Sequence, residues 1–448
     1  MAIIDPDFAN RSVDSRACAC PGLYRIVPAK DGGICRVRTA LGHLSSMQMR
    51  SISAVASRYG NGILEFTNRA NLQIRGMPLG EDSIAVSGLA EAGLTPAERW
   101  ADDARNVLIS PLAGVDPAEL LDVRPLARTV LGDLSGDRAH AVLSPKFSVQ
   151  IDGGGSMSVA DHPHDVWLLA VEVEGRDPMF KVGLAGAIDY GNAHDARLCA
   201  VDQAADVVAA LVTEFIESGV HAKGLSRMRD LVRASDADDI WRHSEARLGR
   251  PLAKVSADRI QSNAVATTRA PLGLLLQNDA SRCAVAAAPQ LGRCGVAAFN
   301  AVADAAERFG QGEIRLTPWR SFLLPDVAAK EAPDALRTLE AAGFIVAEDH
   351  AMSHRIACSG IVGCASALAD VQSDAWKLDA PFSGTVHLSG CAKSCAVPGT
   401  ADVTLVAVAD GLYDLYRRES VDRSRFGTPI ASRIAIGHAR QLMSELHS

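Results

Sequence analysis

The sequence predicts an α+β protein made by internal duplication, on three observations. The phrase RYGNGILEFTNRANLQI at 58–74 returns as RFGQGEIRLTPWRSFLL at 308–324, with Arg58, Gly60, Gly62 and Thr67 matched by Arg308, Gly310, Gly312 and Thr317. A helical pattern precedes each copy and ends at the same glycine, so each copy is a β-α-β unit. The chain has 448 residues, 48% of them hydrophobic and 22% charged, which exceeds a single core and leaves room for two to four domains.

In the first copy, residues 23–28 (LYRIVP) and 34–38 (ICRVR) read as strands around the turn signal Asp31-Gly32-Gly33. From Ser45 to Tyr59 the apolar spacing is helical, opened by a serine able to cap and closed at Gly60. GILEFT and NLQIRG follow as short strands. Between them Thr67-Asn68-Arg69-Ala70 makes a tight connection that presents Arg69 beyond the sheet. The region between the copies holds ADDARNVLISP (101–111), a strand-like KFSVQID (146–152), the loop GGGSMSVADHPHD (153–165) and a helix from about Asp202 to Ser218. After the second copy DALRTLEAAGF reads as a helix and ADVTLVAVADGLYDLY as strand, turn and strand, with an amphipathic helix from Pro429 onward. The chain divides accordingly at 15–80, 81–245, a linker at 246–268, 269–330 and 331–448.

A net charge of −8 excludes any global attraction for nucleic acid, so an anionic ligand requires a local basic pocket. The N-terminus MAIIDPDFANRS is acidic where a signal peptide is basic, and no apolar run reaches bilayer length, which reads as cytoplasmic with no membrane contact. Of ten cysteines, four stand in CSGIVGC and HLSGCAKSC as C-x5-C-x26-C-x3-C, while Cys18, Cys20, Cys35, Cys199, Cys283 and Cys294 are scattered. Two close pairs of soft thiolates suit an iron–sulfur cluster, and four close a cubane. Paired zinc ligands are usually separated by two to four residues, which the wider first gap fits poorly. A zinc site, a disulfide or plain buried thiols are the competing readings. Asp161-His162-Pro163-His164-Asp165 offers imidazoles and carboxylates of the kind that bind Fe(II) with open positions, against the reading of an ordinary polar loop. No G-x-G-x-x-G follows a predicted strand and no Walker-type loop is present.

A duplicated chain whose second half carries C-x5-C and C-x3-C resembles the siroheme-dependent sulfite and nitrite reductase superfamily, over nearly its whole length. The resemblance implies two ferredoxin-like half-domains paired about a pseudo-twofold axis, plus two larger α/β domains. Thr67-Asn68-Arg69 with Leu72-Gln73, Asp102 to Asn106 (DDARN) and Lys146-Phe147 match the places that supply basic side chains over a tetrapyrrole and its ligand. It thus implies catalytic roles for Arg69, Arg105 and Lys146, and a [4Fe-4S] cluster on Cys358, Cys364, Cys391 and Cys395, the last matching the thiolate that bridges cluster and siroheme iron. Two departures stand out. Where the reductases read K-F-K this chain has Lys146-Phe147-Ser148, and where they read C-P-N-x-C it has Cys391-Ala392-Lys393-Ser394-Cys395. HLSGCAKSCA and GNGILEFTNRANLQIRG are instead similar to the oxygen-dependent branch, the precorrin-3B synthases.

That branch implies a monooxygenase of aerobic cobalamin biosynthesis. Its reaction hydroxylates precorrin-3A at C20 with dioxygen and closes a γ-lactone. The tetrapyrrole is then substrate, and Arg69, Arg75, Arg105, Lys146, Arg320 and Lys393 are the candidate counter-ions for its carboxylates. The branch also implies a mononuclear non-heme iron, for which His162 and His164 are candidates and His387 a further one. Electrons would come from a separate NADH-linked reductase or a ferredoxin. The alternatives are a siroheme-dependent sulfite or nitrite reductase and a non-catalytic iron–sulfur protein that carries electrons or senses redox state.

Overall fold

The computed structural model describes residues 20–80, 82–186, 196–219, 224–255, 260–261, 269, 271–378, 382, 384–397, 401–418 and 426–447. Cys18, the acidic start of the chain and, from the segment read as a linker, residues 256–259 and 262–268 lie outside them. The first repeat runs β1 (Val27–Ala29), β2 (Gly32–Val37), β3 (His43–Ser45), α1 (Ser46–Tyr59), β4 (Ile63–Phe66) and β5 (Leu72–Met77), and α2 (Asp82–Ala90) follows. Helix α1 begins where the serine predicts. Gln48 N donates to Ser45 Oγ at 3.1 Å and Ser45 N to Gln48 Oε1 at 2.9 Å, a reciprocal cap worth ~1 kcal/mol. At its other end a Cβ on Gly60 would lie 2.5 Å from the Arg75 carbonyl, so the chain turns where only glycine fits. Strand β1 starts later than the sequence suggests, because Gly22 and Arg25 pair as an isolated bridge ahead of it.

The first α/β domain comprises α3 (Ala101–Ala104), β6 (Val107–Ile109), α4 (Arg124–Gly136), β7 (Val149–Asp152), β8 (His164–Val173), β9 (Met179–Gly186), β10 (Arg197–Cys199), α5 (Ala204–Glu217), α6 (Met228–Ala234), α7 (Ala237–Leu248), β11 (Ala253–Lys254) and β12 (Ile260–Gln261). Its sheet has the order β11-β10-β9-β8-β7-β6, with β12 added beside β8. Trp241 of α7 is fully buried in the core of this domain, Leu252 packs there too, and β11 pairs with β10. The segment from 246 therefore opens inside the domain before it leaves it.

The second repeat contains β13 (Gly273–Leu276), β14 (Arg282–Pro289), β15 (Arg293–Gly295), α8 (Val296–Phe309), β16 (Glu313–Leu316), β17 (Phe322–Ala328), α9 (Ala332–Ala341) and β18 (Phe344–Ile345). The second α/β domain follows as β19 (Arg355–Ala357), α10 (Gly360–Gly363), α11 (Val371–Lys377), β20 (Val386–Ser389), β21 (Val403–Ala409), β22 (Leu412–Arg417), β23 (Thr428–Ala435) and α12 (Ile436–His447). Residues after Pro429 thus form a strand before the helix. The run TPIASRIA extends along the edge of β22, with Arg417 opposite Thr428 and Leu412 opposite Ala435, and helix begins only at Ile436.

The two repeats are interlocked. One sheet has the order β1-β2-β5-β4-β15 and the other β13-β14-β17-β16-β3, so each takes its last strand from the other repeat. Glu65 lies opposite Arg293 across one seam and Arg315 opposite His43 across the other. Beneath the sheets α1 and α8 share one core, in which Phe66 meets Phe299 edge-on at 6.1 Å and Phe322 at 5.9 Å. In both α/β sheets the first three strands are parallel and the next is antiparallel. Loops leaving the carboxyl ends of the leading strands are the usual ligand positions of such sheets. Here those of β6 and β19 meet the interlocked repeats: Arg315 donates to the carbonyls of Pro111 and Ala113, and Arg320 to that of Ala357. Among the described residues no helix is long and apolar enough to cross a membrane.

Candidate active site

The turn between β4 and β5 is the pivot of the site. Thr67 N donates to the Asn71 carbonyl at 2.9 Å, Thr67 Oγ1 accepts from Asn71 N at 3.1 Å, and Ala70 takes a left-handed φ of 51°. Held this way, Arg69 turns into a recess lined by Thr39, Gly42, Asn71, Arg105, Asn106, Ser148 and His164. Arg69 Nη1 is sealed from solvent without a hydrogen-bond partner. Burial, reinforced by Arg227 and opposed by Asp165, draws the guanidinium down to about 10. A buried cation lacking a close counter-ion is unfavourable alone and favourable once an anion arrives.

The DDARN segment builds the second wall. Asp102 Oδ2 accepts from Leu23 N and from Arg38 Nη1, both at 2.9 Å, while Oδ1 accepts from Arg105 Nη2 at 3.0 Å. Asp103 takes both nitrogens of the Arg25 fork at 3.0 and 2.9 Å. Asn106 Nδ2 donates to the carbonyls of Pro145 and Phe147 at 3.2 and 3.0 Å, pinning the loop that carries the exposed Lys146. Asp102 and Asn106 therefore brace the Arg105 side and the Lys146 loop, while Asp103 ties the motif to Arg25.

Ser148 stands where the resemblance places a second lysine. It is buried, and its Oγ lies 3.0 Å from His164 Nδ1 while its amide donates to Asp165 Oδ2 at 2.9 Å. Burial first, then Arg69, His162 and Arg227, pushes the His164 pKa well below the usual imidazole range. The recess thus holds a neutral donor-acceptor pair where the resemblance places a second fixed cation.

The cysteines approach the same turn from the second α/β domain. Cys358 follows β19, Cys364 follows α10, and Cys391 and Cys395 follow β20. Asn68 Nδ2 reaches the Cys395 carbonyl at 3.5 Å, so Arg69 and its neighbour face the recess and the cysteine loops respectively. Burial, together with Cys364 and Cys391, raises the Cys358 thiol against the pull of the Gly390 and Gly360 amides. Burial and the other three cysteines raise Cys395 as well. All four sulfurs are therefore electrostatic neighbours.

The sequence matches the nitrite and sulphite reductase 4Fe-4S domain over residues 100–252 and the nitrite/sulfite reductase ferredoxin-like half domain over 27–82 and 276–342. It is 30% identical to a precorrin-3B synthase from Sinorhizobium sp. over 409 residues, spanning 90% of this chain and 83% of the relative. The chain belongs to the nitrite and sulphite reductase family. A ferredoxin–nitrite reductase from Synechococcus elongatus is 27% identical over 390 residues, spanning 83% of this chain and 75% of that one. The structure of the Mycobacterium tuberculosis NirA protein superposes with a TM-score of 0.77 at 22% identity, covering 92% of this chain and 79% of that one, which establishes the shared fold.

The family's cluster fits the residues present. Gly390 N donates to Cys358 Sγ at 3.2 Å, and a Cβ on Gly390 would sit 3.4 Å from that sulfur and 2.7 Å from the Ala367 methyl, so the backbone closes over the thiols as glycine alone permits. Thiols held back from ionising, as Cys358 and Cys395 are, are relieved when cationic iron replaces their protons. The mononuclear iron read at His162 or His164 finds no such support. Among the described residues neither histidine belongs to a group of three or more His, Cys, Asp or Glu that could hold a metal ion. His162 Nδ1 is turned to Asp161 at 2.6 Å and His164 to Ser148, and His387 is buried within β20.

Two candidate counter-ions are also committed elsewhere. Arg75 forks onto Asp31 at 3.0 and 2.5 Å and donates to the Gly363 carbonyl at 2.9 Å, and Arg320 donates to the carbonyls of Phe66 and Ala357 at 3.0 and 2.7 Å. Both fasten the cysteine loop instead of lining the recess. Lys393 is exposed and reaches Ser366 Oγ at 2.9 Å. Sequence reasoning missed Arg38 and Glu65, and it read Asp165 only as a carboxylate of the iron loop. Arg38 left no trace, since it continues the alternation of its strand and only the structure shows it buried beside Val37.

Proposed function

We propose that the chain is the oxygen-dependent enzyme that hydroxylates precorrin-3A at C20 and closes the γ-lactone, giving precorrin-3B in aerobic cobalamin biosynthesis. The observation that carries this reading is Ser148 bound to a neutral His164 beside Arg69 and Arg105, in a site whose relatives include a precorrin-3B synthase. Reduction of a small dianion needs concentrated positive charge and proton donors around it. A recess with a neutral pair suits an uncharged ligand such as dioxygen, held beside a polycarboxylate ring.

In this reading Arg69 and Arg105 bind carboxylate arms, since forked guanidiniums match carboxylate geometry. Lys146, exposed at the mouth, attracts the same polyanion. The Ser148–His164 pair holds or moves a proton at His164 Nε2, on the ring edge left after Nδ1 is engaged. The Asn68 side chain ties this wall to the Cys395 loop. When bound, the [4Fe-4S] cluster supplies electrons singly. One oxygen atom enters the macrocycle and the other leaves as water, with electrons from a separate NADH-linked reductase or a ferredoxin. The enzyme works in the cytoplasm.

The nitrite reductase relatives favour one other reading, a siroheme-dependent sulfite or nitrite reductase. Anaerobic reconstitution with precorrin-3A and a chemical reductant, followed by oxygen and mass analysis, separates the two. A product heavier by one oxygen, from protein without chlorin-type absorption bands, is expected. Bound siroheme with turnover of nitrite or sulfite overturns the oxygenase reading.

A further inference from the structure

The carboxylate of Glu65 stands at the seam between the interlocked repeats, 5% exposed and enclosed by arginines from both. Arg293 Nε of the exchanged strand β15 donates to Oε1 at 2.5 Å, Ser359 Oγ donates to the same oxygen at 3.0 Å, and Arg75 Nη1 lies 3.7 Å from Oε2. Arg320 adds its charge from the turn after β16. Burial works to raise this carboxyl, but Arg293, Arg75 and Arg320 together hold it below the ordinary glutamate range, so it is ionised.

Three arms of this node end on the loop that carries the first cysteine pair, while Arg293 grips Glu65 itself. Arg320 binds the carbonyl of Ala357, just before Cys358, and Glu65 itself takes the hydroxyl of Ser359, just after it. Arg75 binds the carbonyl of Gly363, just before Cys364.

The position equivalent to Glu65 in the other repeat is Arg315, which docks the corresponding loop of the first α/β domain with plain hydrogen bonds to Pro111 and Ala113. That loop carries no cysteine, since Ser110-Pro111-Leu112-Ala113 occupies it. A carboxylate also meets the arginine there, Glu313 Oε1 accepting from Arg315 Nε at 2.8 Å, but its side chain is a third exposed, whereas Glu65 is buried and bonds the cysteine loop itself. Net charge near an iron–sulfur cluster is a main determinant of its potential: cations favour the more negative reduced state and anions the oxidised one.

We propose that Glu65 is a positioning residue for the iron–sulfur cluster, fixing the loop of Cys358 and Cys364 through Ser359, Arg75 and Arg320 and setting the reduction potential by offsetting the charge of these arginines and of Arg293. The inference rests on the cluster reading of the four cysteines and not on the identity of the substrate. The test uses full-length protein purified without oxygen as wild type, Glu65→Gln, Glu65→Asp and Arg320→Gln. Iron and acid-labile sulfide are counted, and the midpoint potential is read by EPR-monitored titration.

The expected result is that Glu65→Gln shifts the potential upward, Arg320→Gln shifts it downward, and Glu65→Asp stays nearer wild type. Shifts of the same sign in the Gln variants, as from a loosened loop admitting water, overturn the proposal, as do potentials equal to wild type. Should Glu65→Gln not fold, the downward shift in Arg320→Gln and the near-native value in Glu65→Asp carry the test, and failure of either overturns it. Wild type with no iron or sulfide refutes the cluster reading together with this one, whereas a loaded wild type with unmoved variants refutes only the role of Glu65.

Discussion

Replacing Asp102 by asparagine keeps the shape of the side chain and removes the charge on which the recess is built. The carboxylate receives Leu23 N, Arg38 Nη1 and both Arg105 contacts, and Arg38 and Asp102 side chains are only 1% and 5% exposed. A Cβ on Gly22 would lie 2.7 Å from Asp102 Oδ2, so the surroundings are close-packed and leave little space for water to take over. An amide can satisfy one group of donors but turns its own N–H groups against the other. Breaking a buried ion pair from one side costs about 3–5 kcal/mol. Asp103 still lies 3.3 Å from Arg38 Nη2, which places the loss near the lower end, about 3 kcal/mol. Urea unfolding followed by tryptophan fluorescence and far-UV circular dichroism should show the first transition moved to lower denaturant by that amount. The double variant Asp102→Leu with Arg38→Met, which removes both charges, should recover a good part of it. An Asp102→Asn protein within about 0.5 kcal/mol of wild type, the range of ordinary surface changes, would refute the assignment of Asp102 as the anchor of this wall.

Three further outcomes follow from other contacts. Gly390→Ala should lower the iron and sulfide content of anaerobically purified protein, because the added methyl meets Ala367 at 2.7 Å and overpacking of this kind costs about 1–3 kcal/mol; unchanged content speaks against the close cradle. Asn106→Ala should destabilise by about 1–3 kcal/mol by stranding two carbonyl acceptors, and equal denaturation midpoints would mean that the Lys146 loop needs no such support. The Glu119 carboxyl is raised from 4.5 to about 7, by burial first, against the Gly114 amide and with Asp122 and Asp116 adding to it. The folded state therefore keeps a proton that the unfolded chain has released, so this group's contribution is fully present below 4.5 and is lost as pH rises to about 7. Relative to wild type, Glu119→Gln should gain stability across that window and level off above it; a difference that does not change with pH rules the titration out.

The duplication was readable because glycine spacing and the threonine of each turn are local facts of the chain. So was α1, whose boundaries follow from a capping serine and a closing glycine. Strand exchange was not readable. Residues β3 and β15 are three-residue strands whose partners lie in the other repeat, and nothing in HLS or RCG distinguishes pairing at home from pairing across. For the same reason Glu65 looked like one polar residue in a mixed strand: the arginine that meets it stands 228 positions away. The segment after Pro429 misled because its apolar residues suit either period, and the free edge of β22 decided for strand.

At the site, residue types were legible but their division of labour was not. Arginines at 69, 75, 105 and 320 all read as counter-ions, yet burial separates them: Arg69 has an unpartnered nitrogen in the recess, Arg105 leans on Asp102, and the other two bind carbonyls of the cysteine loop. The two equivalent turns show how the separation arises. Both close with the same threonine bonds, at 67 and 317, and both place a left-handed residue at equivalent positions, Ala70 and Arg320. The first turn points Arg69 to the first α/β domain and Asn68 to the cysteines, whereas the second sends Trp319 against His162 at 5.6 Å and Arg320 to the loop of Cys358. A symmetric backbone thus gives each α/β domain one contact from each turn, and side-chain identity alone makes one side a recess around a buried guanidinium and the other the support of the cysteine loops. Divergence within the duplicated frame, rather than any new backbone element, is what converts two similar cradles into one site with two unlike walls.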